Sequence, residues 1–131
     1  MTPYTFKPLA PGDVKLLWST FSQRFEANKN YLASLRTDNL IRAHYMEAGL
    51  WAAPEYVKDI HWGWESPSCQ LRGHFVGHWL WAAAHIYAST GDEEFKARGN
   101  KIVSEIARCQ KENGDNWAGS IPPKYLDWAA R

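Results

Sequence analysis

Cysteine is scarce in this sequence: only Cys69 and Cys109 occur, forty positions apart. Neither stands in a C-x-x-C or C-x-x-H arrangement, so the spacing supports no zinc ribbon and no thioredoxin-like redox motif. Nothing forces the two into a disulfide. An excess of one charge sign is also lacking. Fifteen Lys and Arg stand against fourteen Asp and Glu, a net charge of +1, and they are scattered rather than blocked. That leaves no electrostatic footprint for a nucleic acid or an anionic membrane. Long apolar runs are missing too. The most apolar stretch, HFVGHWLWAAAHIYA at residues 74–88, holds three histidines and falls short of the roughly 20 residues that span a bilayer. The opening residues MTPYTFKPLAPGDVK contain no apolar core of the signal-peptide kind, which predicts a cytoplasmic protein. No stretch alternates apolar and polar residues as a half-buried strand would.

What is abundant is aromatic surface. Eight Trp, six Tyr and five Phe are many for 131 residues. Indoles and phenols fill cores, and they also offer flat amphipathic faces to ligands. Carbohydrate is the ligand class that such faces suit first, because the apolar sides of sugar rings stack on them.

The chain divides by its punctuation. Pro3, Pro8, Pro11 and Gly12 make residues 1–12 an extended arm, and residues 13–131 form one domain with a modest core. Asp13 is positioned to cap a helix whose apolar residues Val14, Leu17, Trp18, Phe21, Phe25, Leu32 and Leu35 share one face. Asp38 is positioned to cap a second helix, NLIRAHYMEAGL, stopped by Gly49. Residues 50–70, with Pro54, Gly63, Pro67 and the cluster HWGWESPSC, read as a long loop, and long aromatic loops are often functional. A third helix over about residues 70–89 ends at STGD, where Gly91 stops it and Asp92 caps the next. The fourth helix buries Phe95, Gly99, Ile102, Ile106 and Cys109 and stops at Gly114. DNWAGSIPP is a second polar-aromatic loop, and KYLDWAAR begins a fifth helix. The class is all-α, built of antiparallel helix pairs.

The third helix carries the chemistry. At about 100° per residue, His74, His78 and His85 fall within about 40° of one another. Gly73, Gly77, Ala84 and Ala88 form a separate small-residue stripe on which a neighbouring helix would pack closely. Three readings of the histidines stand side by side. The spacing of His74 and His78 matches a zincin helix, but that motif needs Glu directly after the first His, and Phe75 holds that place. No third ligand is evident, so no metal site is assigned. The histidines also suit a hydrogen-bonded helix–helix interface, or a polar cleft in which they join Trp62 or Trp64 around a hydroxyl-rich ligand. Glu65, within WGWESP, is either a general acid whose pKa its aromatic surroundings raise or a surface acid beside a proline. Arg72 is positioned to pair with it. No second carboxylate offers itself as the partner a glycosidase requires.

Four segments together carry a resemblance: DVKLLWSTFSQRFEANKNYLASL, DNLIRAHYMEAGL, GWESPSCQLRGHFVGHWLWAAAHIYASTGD and VSEIARCQKENGDNWAGSIPPKYLDW. They resemble the N-terminal part of the β-L-arabinofuranosidase family of glycoside hydrolases, family 127, with relatives in family 146. The resemblance runs from about residue 13 onward. Its most specific part is the GWE…C-x-LRGHF-x-GH core followed by YA-x-TGD.

The resemblance implies an (α/α)6 barrel with a sugar site at one end, and a retaining hydrolase of arabinose-containing glycans. It implies a cysteine nucleophile held near zinc by further cysteines and a glutamate, with a second glutamate as acid/base. Those residues belong to later parts of the barrel. This sequence has no Glu-x-Cys or Cys-Cys pattern, so Cys69 and Cys109 do not take those roles and no zinc is expected in this chain. The matched residues Trp64, Glu65, Arg72, His74 and His78 would line or support one side of the substrate pocket. Twelve helices of about 11–12 residues would consume the whole chain before any loop was built. The expectation is therefore an incomplete barrel, inactive alone, that self-associates or meets a partner chain supplying the missing helices. The rival is a small helical carbohydrate-binding or interaction module.

Overall fold

The computed structural model describes residues 7–50, 61, 63–114 and 116–130. Pro54, Trp62 and the start of the N-terminal arm lie outside the described residues. Among these residues there are five α-helices: α1 (Thr20–Ser34), α2 (Thr37–Glu47), α3 (His74–Thr90), α4 (Glu93–Glu112) and α5 (Lys124–Ala129). Among the described residues two 3-10 turns, Pro11–Asp13 and Gly63–Glu65, accompany them, and no strand occurs. No described helix is long and apolar enough to cross a membrane.

The first helix starts later than its apolar spacing suggests. Asp13 turns back and accepts the Ala10 N–H at 3.1 Å, closing a 3-10 turn instead of opening a helix. Val14 is extended, and α1 begins only where Ser19 and Ser22 exchange side-chain and backbone hydrogen bonds in a capping box. Leu17, Trp18 and Phe21, three residues of the expected apolar face, are 77–87% exposed. At α2 the cap position falls on Arg36, and Asp38 sits inside the first turn, where its charge suits the helix dipole. The α3–α4 hairpin follows the sequence closely. Gly91 adopts φ +73° and donates to the Tyr87 carbonyl at 2.8 Å, and Asp92 accepts the Glu94 N–H at 3.0 Å.

Helix α3 is the hub, packed against α1, α2, α4 and both 3-10 turns. Its Trp79 is fully buried, stacks on Phe95 with ring centres 6.0 Å apart, and donates its indole N–H to the Leu32 carbonyl at 3.0 Å. Leu40, Ile41, Val76, Ala83, Ile86 and Ile102 complete the core. Helix α2 runs along α4, and α1 packs on α3 and meets the start of α4. Lys29 meets Asp92 at 2.7 Å, Arg98 meets Thr37 at 3.4 Å, and Tyr45 donates to Glu105 at 2.8 Å. Both therefore lie antiparallel to α3. Arg98 covers the Trp79 ring at 4.8 Å and donates to the carbonyls of Ala33 and Leu35, satisfying acceptors at the end of α1.

The small-residue stripe of α3 does not act as one packing face. A Cβ at Gly77 would meet nothing within 4 Å, and Ala84 and Ala88 are exposed. Close approach happens at Gly73, against Ser120. Together the helices make an all-α assembly that represents part of a helical barrel.

Candidate functional site

The turn preceding α3 places the site. Gly73 has φ +80°, a conformation that costs glycine little, and it sets the entry angle of α3. A Cβ there would collide with the Ser120 side chain and press on the His44 ring. Arg72 fixes the turn from behind. It donates to the carbonyls of Ser120 at 2.8 Å and Pro67 at 2.7 Å, and its guanidinium lies 3.4 Å from Glu47. Ser120 returns a hydrogen bond to the Arg72 carbonyl at 2.6 Å. The loop over residues 116–123 is shaped in turn by Trp117, whose indole N–H donates to the Ile121 carbonyl at 2.7 Å.

Glu65 acts on the same helix end. Its two oxygens accept the N–H groups of Gly73 and Phe75, each at 2.7 Å. These are donors that a helix N-terminus leaves unsatisfied, and a carboxylate there also meets the positive end of the helix dipole. The expected Glu65–Arg72 pair does not form, because the guanidinium faces Glu47 and the 116–123 loop.

In front of this frame lies an open cleft of about 390 Å³, lined by Tyr31, His61, Trp64, Glu65, His74, Phe75 and His78. Four of the five residues singled out in the sequence, Trp64, Glu65, His74 and His78, meet there. Arg72 stands behind the wall. Trp64 is 64% exposed and meets His74 edge-on, with ring centres 6.0 Å apart. The Nε2 atoms of His74 and His78 lie 2.9 Å apart. His85 takes no part: it lies about 16 Å along the axis from His74, beside Trp81 in a separate groove. Tyr31 and His61 were not anticipated. Tyr31 falls off the apolar stripe of α1, and the only signal for His61 was its place in the aromatic loop.

Behind Gly73, His44 is 6% exposed and its Nδ1 has no hydrogen-bond partner among the described residues. Burial pushes its pKa down, opposed by the negative charge of Glu65. The ring is therefore held neutral.

Zinc of the kind the resemblance implies requires thiolates and a carboxylate at one point. Cys69 sits in the turn before α3, whereas Cys109 is buried in α4 with its thiol pKa raised by desolvation. Among the described residues no three His, Cys, Asp or Glu side chains converge on a metal position. These residues do not fit that ion.

No curated protein and no solved structure matches the chain. The family described as β-L-arabinofuranosidase, GH127 catalytic domain, matches residues 13–115, a span that takes in α1 through α4, Trp64, Glu65 and the histidine pair. A match over most of the chain, on the helices that build this cleft, means that the chain belongs to the GH127 β-L-arabinofuranosidase family.

Proposed function

We propose that this chain supplies one wall of a sugar-binding cleft in a glycoside hydrolase, with arabinose-containing glycans as the substrate class. The convergence of Trp64, His74 and His78 on one open cleft supports this reading most directly. The exposed indole offers an apolar face to the C–H side of a sugar ring. The two imidazoles add ring nitrogens that can hydrogen-bond hydroxyl groups. Glu65, with both oxygens engaged by α3, orients the wall instead of delivering a proton. The nucleophile and the acid/base lie outside this chain, which is inactive alone. Titration with L-arabinofuranosyl oligosaccharides should quench Trp fluorescence, and Trp64→Ala should abolish the quenching. Hydrolysis of an aryl β-L-arabinofuranoside by the purified chain would overturn the inactivity.

One observation favours a second reading, in which further helices complete the barrel. Leu17, Trp18 and Phe21 are 82%, 87% and 77% exposed, and Trp81 and Trp128 are 68% and 63% exposed. Surface of that kind is costly to leave in water. The chain should self-associate, or co-purify with a second chain that contributes the missing helices. A monomer by sedimentation, with a sharp cooperative unfolding transition, counts against it.

A further inference from the structure

We infer that His44 is a positioning residue for the cleft and that its proton state sets the cleft's affinity. The neutral ring seats the turn that aims α3, and protonation loosens that turn. This deepens the sugar reading and rests on it for the ligand alone.

His44 sits in the last turn of α2, 6% exposed, with its ring packed on Gly73. A Cβ added at Gly73 would lie 3.2 Å from the ring Cε1. The Gly73 N–H donates to one oxygen of Glu65, and the Phe75 N–H donates to the other, each at 2.7 Å. His74 stands between those two amides in the chain, and Trp64 directly precedes Glu65. The ring therefore touches, from behind, the turn that carries two side chains of the cleft in front.

Most buried polar groups have a hydrogen-bond partner. The His44 Nδ1 has none among the described residues, so no hydrogen bond to it has to break for the ring to change charge. The Glu65 carboxylate and the negative end of the α2 dipole favour the charged ring. Burial opposes them and is the larger influence, which keeps the ring neutral until the pH falls below the ordinary histidine range.

The other charges around the turn are engaged elsewhere. Glu47 and Arg72 face each other at 3.4 Å, and on α4 Glu105 accepts from Tyr45 and Arg108. On α3, His74 and His78 line the cleft and pair with each other. Ser120, from the loop behind, brings a hydroxyl bound to the Arg72 carbonyl. A buried charge is costly unless it is paired. Glu65 is the carboxylate that acts on the ring, and pairing with a charged His44 draws it off the Gly73 and Phe75 amides.

The full chain is followed by NMR from about pH 7.5 to about pH 5.5. Protection of the Gly73 and Phe75 amides against exchange should fall with the midpoint of the His44 ring resonance. The Gly91 amide, at the far end of α3, should keep its protection. In His44→Leu the Gly73 and Phe75 amides should stay protected over that range; should the variant not fold, the wild-type midpoints decide alone. Affinity for L-arabinofuranosyl oligosaccharides should drop about fivefold or more further in wild type than in His44→Leu. By linkage, bound sugar should move the His44 midpoint to lower pH. Protection that ignores the His44 midpoint, or falls equally in His44→Leu, would overturn the positioning role, and an equal drop in affinity in both chains would overturn the control of the cleft. Amides that follow His44 in a chain that binds no sugar at any pH would support the positioning role and overturn the sugar reading instead.

Discussion

Arg72 and Ser120 hold each other reciprocally: the guanidinium Nε donates to the Ser120 carbonyl at 2.8 Å, and the Ser120 hydroxyl donates to the Arg72 carbonyl at 2.6 Å. Forty-eight positions separate them, and beside their contact sits Gly73, where a Cβ would collide with the Ser120 side chain. The cleft wall therefore depends on a loop distant in sequence, and the consequences are measurable.

Gly73→Ala should destabilise the chain by about 1–3 kcal/mol, because it adds a Cβ at positive φ and drives it into Ser120. Measured against Ser120→Gly alone, which loses the hydroxyl's hydrogen bond to the Arg72 carbonyl, the double variant should show the backbone part without the steric part. Urea unfolding of the three variants measures the division, and a double variant as stable as Ser120→Gly alone would mean that φ carries no cost.

Glu65→Ala leaves two helix N–H groups without their acceptor and should cost about 1–3 kcal/mol. Glu65→Gln retains one acceptor oxygen and should cost less. Amide exchange at Gly73 and Phe75 should quicken in the same order. Unchanged exchange at both amides would show that the carboxylate does not close α3.

His44 makes stability depend on pH with a defined sign. Its folded pKa lies below the ordinary value of about 6.5, so the unfolded chain takes up more protons as pH falls. The stability of the neutral buried ring is complete above about pH 6.5 and is lost as pH drops from there toward the folded value. His44→Leu should flatten the stability profile in that window. Urea midpoints taken at successive pH values from 7.5 downward provide the check, and an equal slope in both chains would sink the assignment.

Arg98→Ala should cost about 1.5–3 kcal/mol, since it strips charge-assisted hydrogen bonds from the α1 carbonyls and uncovers Trp79. Arg98→Lys keeps the charge but loses the planar fork that reaches Ala33 and Leu35 together, and should restore only part of that. Thermal melts rank the three chains, and a lysine chain as stable as wild type would reduce the role of Arg98 to charge alone.

The sequence by itself determined the helical class, the α3–α4 hairpin and four of the seven residues that line the cleft. Gly91 and Asp92 act within their own turn, and Phe95, Ile102 and Cys109 recur at helical spacing, so local chemistry is enough to read them. Trp64, Glu65, His74 and His78 lie close together in the GWE and RGHFVGH segments, and their grouping is what the family resemblance implies. Only the tertiary structure decided where α1 begins, because Val14, Leu17 and Trp18 have helical spacing but no covering neighbour among the described residues, and Ser19 supplies the better cap. It also decided the partner of Glu65. A carboxylate near both an arginine and a helix end satisfies two strong backbone donors first, and the choice depends on how Gly73 aims α3. That aim is set by Ser120, a contact between distant residues that no local pattern announces.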